Sequence, residues 1–190
     1  MDRRTEILEA ACRVIARDGA HGLRMADVAR EAGVSNALVH YYVPTRQELL
    51  AEAFDFANTR AEQELQDRLD PSATASERLA AALTVEFEDG HVVRESWALW
   101  NELWSAALHD ASLRPRVERA YRRWLAAIEA LVREAGTASD PVATTERLAA
   151  LVDGLGSKVL VGILSPSRAG ELLRAAIEQE LGVTSMEVAR

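Results

Sequence analysis

Two groups of side chains in this sequence have types and spacings that could do chemistry. The first is aromatic. Trp97, Trp100 and Trp104 fall at i, i+3 and i+7, one face of a helix, and Tyr121 and Trp124 follow on the next helix. Asn101 lies between two of the tryptophans, and Phe54, Phe56 and Phe87 offer further rings. Glu86, Glu102 and Asp153 are carboxylates that could complete a site among them. Aromatic faces beside a carboxylate attract a cation, a quaternary ammonium above all, and apolar walls between helices take hydrophobic small molecules. Bulky residues on one helical face also make ordinary core, so spacing alone leaves both readings open.

The second group is short and polar. Ser35, Asn36, Ala37, His40, Tyr41, Tyr42 and Arg46 follow a tight turn at Gly33-Val34. A short helix, a turn with glycine and a second short helix make the helix-turn-helix layout, whose second helix lies in the major groove of DNA. Small Ala29 allows close helix crossing, Gly33 allows a positive φ, and Val34 with Leu38 or Val39 plugs the core between the helices. Ser35, Asn36 and Ala37 form a first turn whose N–H groups and short side chains can approach phosphates and base edges. Asn36, His40 and Arg46 have no evident core role. An ordinary pair of helices with buried aromatics fits the spacing equally well.

Enzyme chemistry finds little support. His21, His40, His91 and His109 are scattered, without the spacing of a metal or catalytic motif. Cys12 is the single cysteine, so an internal disulfide and a cysteine zinc site are both excluded. No glycine-rich phosphate loop is present, and we expect neither metal nor cofactor. No apolar run reaches the ~18 residues of a membrane helix, and the charged start MDRRTEILEA is unlike a signal peptide, so the expected location is the cytoplasm.

The net charge of −8 opposes DNA binding as an average, but its distribution matters more. Residues 1–46 carry seven Arg against six Asp or Glu, a net of +1, which leaves −9 for the rest. An acidic body would turn the near-neutral head toward phosphate.

The elements that must position these groups are helices throughout, since Ala, Leu, Glu and Arg dominate and no alternating pattern stands out. The first spans roughly 3–17, with Ile7, Leu8, Ala11, Val14 and Ile15 on one face and Gly19 as its stop. Helices follow at about 25–32 and 36–42, the latter capped by Ser35 and closed by Pro44. Thr45 and Glu48 form a capping box for a long helix over 46–69. Ser76 is the expected cap of a fifth, running to Glu88, and the rest fall at about 91–109, 113–135, 141–164 and 167–181. The fold class is therefore all-α: a three-helix head over 1–46 and a six-helix body over 47–190.

The stretch GVSNALVHYYVPTRQELL, with Arg-Arg-Thr-Glu-Ile-Leu-Glu-Ala-Ala before it, resembles the signature of the TetR family of transcriptional regulators. Gly-Val-Ser opens the recognition helix, an aromatic pair closes it, and a Pro-Thr-Arg turn leads into Glu-Leu-Leu. Three positions depart from the family pattern: Leu23-Arg24 stands where Thr usually caps the second helix, Val43 replaces Phe, and His40 replaces Tyr. The resemblance implies DNA contacts at Ser35, Asn36, Ala37, His40, Tyr41, Tyr42 and Arg46. It further implies a homodimer on a palindromic operator and repression relieved by a small-molecule effector.

Two body segments, RESWALWNELWSAALHDASLRPRVERAYRRWLAAI and ALVDGLGSKVLVGILSPSRAGELLRAAI, resemble the betaine-pathway repressor branch more loosely. This places the effector, hydrophobic or cationic, among Trp97, Trp100, Asn101, Trp104, Tyr121 and Trp124. The family pairs its last two helices across the dimer, which assigns Leu151, Leu155, Val159, Ile163, Leu173 and Ile177 to that interface. Those residues completing the protomer core is the simpler alternative. A helical adaptor, or a regulator controlled by a protein partner without a small molecule, is the alternative function.

Overall fold

The structure, a computed structural model, describes residues 2–87, 91–137 and 139–182. Among them it contains nine α-helices, one 3-10 turn and no strand.

The head follows from its apolar spacing. Helix α1 (Arg3–Gly22) buries Ile7, Leu8, Ala11, Val14 and Ile15. It does not stop at residue 17. Helical bonding resumes beyond a kink at Gly19, whose φ of 78° and ψ of 161° suit only glycine. Helix α2 (Met25–Glu31) meets α3 (Asn36–Tyr42) through a turn in which Gly33 takes φ 66° and the Val34 N–H returns to the Ala29 carbonyl at 2.9 Å. The Ser35 hydroxyl accepts from the Leu38 N–H at 3.2 Å, the cap its type predicts. No side chain caps α2, where Arg24 occupies the position. Val28, Val39 and Val43 are fully buried between the three helices. Each stabilises the head by roughly 1.5–3 kcal/mol relative to exposure.

Helix α4 (Arg46–Arg68) starts from the Thr45–Glu48 capping box, with the Thr45 N–H on the Glu48 carboxylate at 3.2 Å and the Glu48 N–H on the Thr45 hydroxyl at 3.1 Å. Helix α5 (Ala75–Thr84) is capped by Thr74, not Ser76, because Thr74 stands three residues before Glu77 and completes a second box. It ends four residues before Glu88, as Val85–Phe87 tighten into a 3-10 turn.

Helices α6 (His91–His109), α7 (Arg114–Ala135), α8 (Pro141–Leu160) and α9 (Pro166–Leu181) complete the chain. Asp140 and Ser165 cap α8 and α9, each with proline in the first turn. Helix α8 stops at 160 rather than 164 because Gly162 turns to φ 76° and the Ile163 N–H folds back to Lys158 at 2.9 Å.

The contacts group the chain into two units, Met1–Gln63 with Arg94–Ala120 and Glu64–Val93 with Tyr121–Arg190. In the first, the core continues past the three-helix head. Leu49, Ala53 and Phe54 of α4 and Leu99, Leu103 and Ala106 of α6 share one buried cluster with Val14 and Val28. In the second, α5 and α8 pack on α9 around the 3-10 turn. Leu79, Leu83, Leu148, Val152, Leu155, Leu173 and Ile177 are buried there.

Candidate nucleic-acid interface and effector site

Asn36, Ala37, His40 and Tyr41 are all exposed on α3, Tyr41 to 78%, and Ser35 is exposed at its N-cap. Positions 36, 37, 40 and 41 lie on one helical face. That face carries an amide, an imidazole and a phenol and no carboxylate, which suits hydrogen bonding to base edges. The His40 Nδ1 lies 3.1 Å from the Pro44 carbonyl, which orients the ring at the end of α3. Tyr42 behaves differently. It is half-buried against the head core and meets Tyr41 edge-on at 5.3 Å. It therefore supports the recognition face as packing.

Arg46 has an internal role that its sequence position does not reveal. Its Nε donates to the Leu23 carbonyl at 2.9 Å, and its Nη2 donates to the carbonyls of Ala20 and His21. The guanidinium thus binds carbonyls at and just beyond the end of α1, where helical partners run out. On the opposite side of the same segment, the Ala20 N–H donates to the Glu102 carboxylate on α6 at 2.8 Å. Glu102 is therefore committed to the head and not to an aromatic site. Nothing in the local sequence marks this bond, which joins residues 82 positions apart.

The aromatic residues divide between the two units. In the first, Trp100 meets Phe54 edge-on at 5.4 Å, and Trp104 is 42% exposed. The Asn101 amide donates back to the Trp97 carbonyl at 2.9 Å, so its N–H group serves α6 itself. In the second, the Tyr121 hydroxyl donates to the Asp153 carboxylate at 2.7 Å, and the Tyr121 and Trp124 rings lie 5.6 Å apart, tilted by 37°. Burial holds the Asp153 carboxyl above the usual carboxylate range, against the opposing pull of the Tyr121 hydrogen bond. Burial, then the Asp153 bond, pushes the Tyr121 phenol up. No cationic side chain of the described residues pairs with Asp153. The Glu86 and His91 side chains lie outside the described residues. Burial also raises the Cys12 thiol to about 12, which leaves it inert as a nucleophile.

The six residues assigned to a dimer face do not share one environment. Leu155, Leu173 and Ile177 are at most 4% exposed and fill the protomer core, because α8 and α9 turn those faces toward each other and toward α5. Leu151 and Val159 are half-buried. Ile163 is 75% exposed, alongside Val161 at 67% and Leu172 at 37%.

Comparison with known proteins decides the family. Residues 7–53 match the bacterial regulatory proteins of the tetR family, and residues 75–182 match the C-terminal domain of BetI-type transcriptional repressors. The chain belongs to the TetR family, with a BetI-type C-terminal domain. It is 29% identical over 185 residues to the HTH-type transcriptional regulator BetI of Brucella anthropi, covering 97% of this chain and 94% of that protein. The BetI of Escherichia coli is 26% identical over 183 residues, covering 94% of each. Among solved structures, a TetR-family regulator from Rhodococcus sp. superposes with a TM-score of 0.84 at 32% identity, covering 94% of this chain and 98% of that one. A transcriptional regulator from Saccharomonospora viridis, solved in complex with choline, gives 0.85 at 33% identity, covering 92% and 95%.

This TetR-family member is a transcriptional repressor that binds operator DNA through its helix-turn-helix and acts as a dimer. Its family is one of regulators and not a class of enzymes. No helix among the described residues is long and apolar enough to cross a membrane.

Proposed function

We propose that this repressor leaves its operator when a quaternary ammonium compound, choline or a close relative, binds the body. The observation that carries the reading is the Asp153 carboxylate. It is half-buried, touches the Tyr121 hydroxyl, has the Trp124 ring beside that tyrosine, and has no cationic partner among the described residues. A carboxylate withdrawn from water favours a cation, and a trimethylammonium group suits aromatic faces because it needs no hydrogen bonds. The choline bound by the Saccharomonospora viridis regulator supports the same chemistry.

Residues 1–46 form the DNA-reading part in this account and residues 47–190 the sensing and dimerising part. Asn36, His40 and Tyr41 read bases, Ser35 and Ala37 approach the backbone, and Tyr42 and Arg46 hold the reading face in place. Trp97, Trp100, Asn101 and Trp104 join Tyr121 and Trp124 as the wider set of effector candidates. The exposed Val161, Ile163 and Leu172, together with Leu151 and Val159, form the dimer face. The protein works in the cytoplasm, beside its DNA, and needs neither cofactor nor catalytic group.

Titration calorimetry with choline, tetramethylammonium and 3,3-dimethylbutanol tests the effector. Binding of both cations with none of the neutral isostere supports the reading. Equal binding of the isostere would make the site merely apolar. Silence from all three would leave the repressor to a different effector or to a protein partner.

A further inference from the structure

The segment joining the helix-turn-helix to the rest of its unit is gripped from two sides. At Gly19 the backbone of α1 leaves helical geometry, so the Ala20 N–H that follows cannot point along the helix to its usual acceptor. Glu102 of α6 supplies that acceptor, with its Oε2 at 2.8 Å from the Ala20 nitrogen. The approach is close enough that a Cβ on residue 19 would stand 3.0 Å from the same oxygen. Glycine is thus required there for its φ, and a Cβ would also push the Glu102 carboxylate back from the amide. Two residues of α4 complete the grip. Arg46 takes the carbonyls of Ala20, His21 and Leu23, and Gln47 donates to Asp110, just past α6, at 2.9 Å. The rings of His21 and His109 meet edge-on at 6.4 Å in the same joint.

We propose that Glu102 is a positioning residue for operator recognition: by holding the Ala20 amide it fixes the angle at which α6 carries the recognition helix, and so the half-site spacing that the dimer accepts. Glu102 touches neither base nor phosphate in this account. A dimer reads two half-sites at once, so a small change in head angle moves one recognition helix out of register with its groove. The bond is local to one joint, and the buried cluster of Val14, Val28 and Leu103 holds the head folded without it. Losing the bond should therefore loosen the angle rather than melt the domain. Its position on α6 matters too. Glu102 lies between Asn101 and Leu103 and two residues from Trp100, so a rotation of α6 at its aromatic residues would pull directly on the Ala20 amide.

The test uses the full-length dimer and a series of operators whose centre is lengthened or shortened by one or two base pairs. Wild type should lose at least about tenfold in affinity away from its best spacing. Glu102→Ala should keep its thermal midpoint nearly unchanged and discriminate among the spacings by less than about threefold, and Glu102→Gln, which retains an acceptor, should recover discrimination. Gly19→Ala should also lose discrimination, but with a lowered thermal midpoint, because it strains a backbone that suits only glycine. A uniform loss across all spacings, or full discrimination by Glu102→Ala, would overturn the proposal. Amide exchange decides the case if the alanine variant fails to fold. The Ala20 N–H of wild type should be protected by roughly a hundredfold or more relative to the unfolded chain, and fast exchange there would remove the bond on which the proposal rests. Absence of any operator binding by wild type would count against the repressor reading itself, and the exchange result would still judge the joint.

Discussion

The Nε of Arg46 donates to the carbonyl of Leu23 at 2.9 Å, which ties the first residue of α4 to the residue just beyond α1. Arg46 is exposed, but a phosphate would have to compete with backbone partners for its guanidinium. Here at least two of its nitrogens are occupied by three backbone carbonyls. Arg46→Ala is therefore expected to lower unfolding stability by about 1–2 kcal/mol, with Arg46→Lys recovering only part, since an ammonium lacks the planar fork. The salt slope of operator binding should change by less than about one. Unchanged stability with a slope reduced by one would instead identify a phosphate ligand.

Tyr41 and Tyr42 are neighbours with opposite expectations. Tyr41 is 78% exposed, so Tyr41→Ala should leave stability within about 0.5 kcal/mol and cost operator affinity roughly tenfold or more. Tyr42 packs against the head core, so Tyr42→Ala should lower the midpoint of thermal unfolding by several degrees. Paired melting and binding curves for the two variants separate contact from support. The same profile for both would contradict the division.

Asp153 gives a pH signature. Burial raises its folded-state pKa, so the native state holds that proton more tightly than the unfolded chain does. Its contribution to stability is greatest below the ordinary carboxylate pKa and is lost as pH rises through the raised value. Asp153→Asn should accordingly raise the melting temperature at neutral pH and leave it nearly unchanged in acid. Cation binding runs the other way. Affinity for choline should fall as pH drops through the raised Asp153 pKa and the carboxylate takes up its proton, and should be lost at neutral pH in Asp153→Asn. A choline affinity that stays flat as pH is lowered from neutral into the acid range would remove Asp153 from the site.

The two apolar sets on α8 and α9 should also part company. Ile163→Glu, at a site 75% exposed, should shift sedimentation equilibrium toward monomer while helicity is retained. Leu173→Ala, in the protomer core, should cost about 2–4 kcal/mol in unfolding with dimerisation affected only through stability. A dimer unchanged by Ile163→Glu would move the interface to another face.

Local chemistry was readable in the sequence. Ser35, Thr45 with Glu48, Gly33 and Pro44 each act on atoms within a few residues, and the helix boundaries around them came out as their types predict. The aromatic pair and the Gly-Val-Ser opening carried the family. What could not be read depends on distance. Thr74 outcompetes Ser76 only because Glu77 completes a reciprocal pair. The internal role of Arg46 depends on three carbonyls more than twenty positions away, and Glu102 reaches an amide across 82. The apolar faces of α8 and α9 show the same limit, since a periodic stripe cannot say whether its own chain or a second copy covers it. Leu173 turned out to be covered by its own chain and Ile163 was not.

The most direct test of the central claim is fluorescence anisotropy of the full-length protein on the DNA upstream of its own gene, beside a scrambled duplex, at two salt concentrations and with and without choline. Tight binding to the native duplex alone is expected, weakening as salt rises because phosphate counterions are released, with release on adding choline. Equal binding to both duplexes, or native binding that choline leaves untouched while calorimetry shows it bound, would contradict the account.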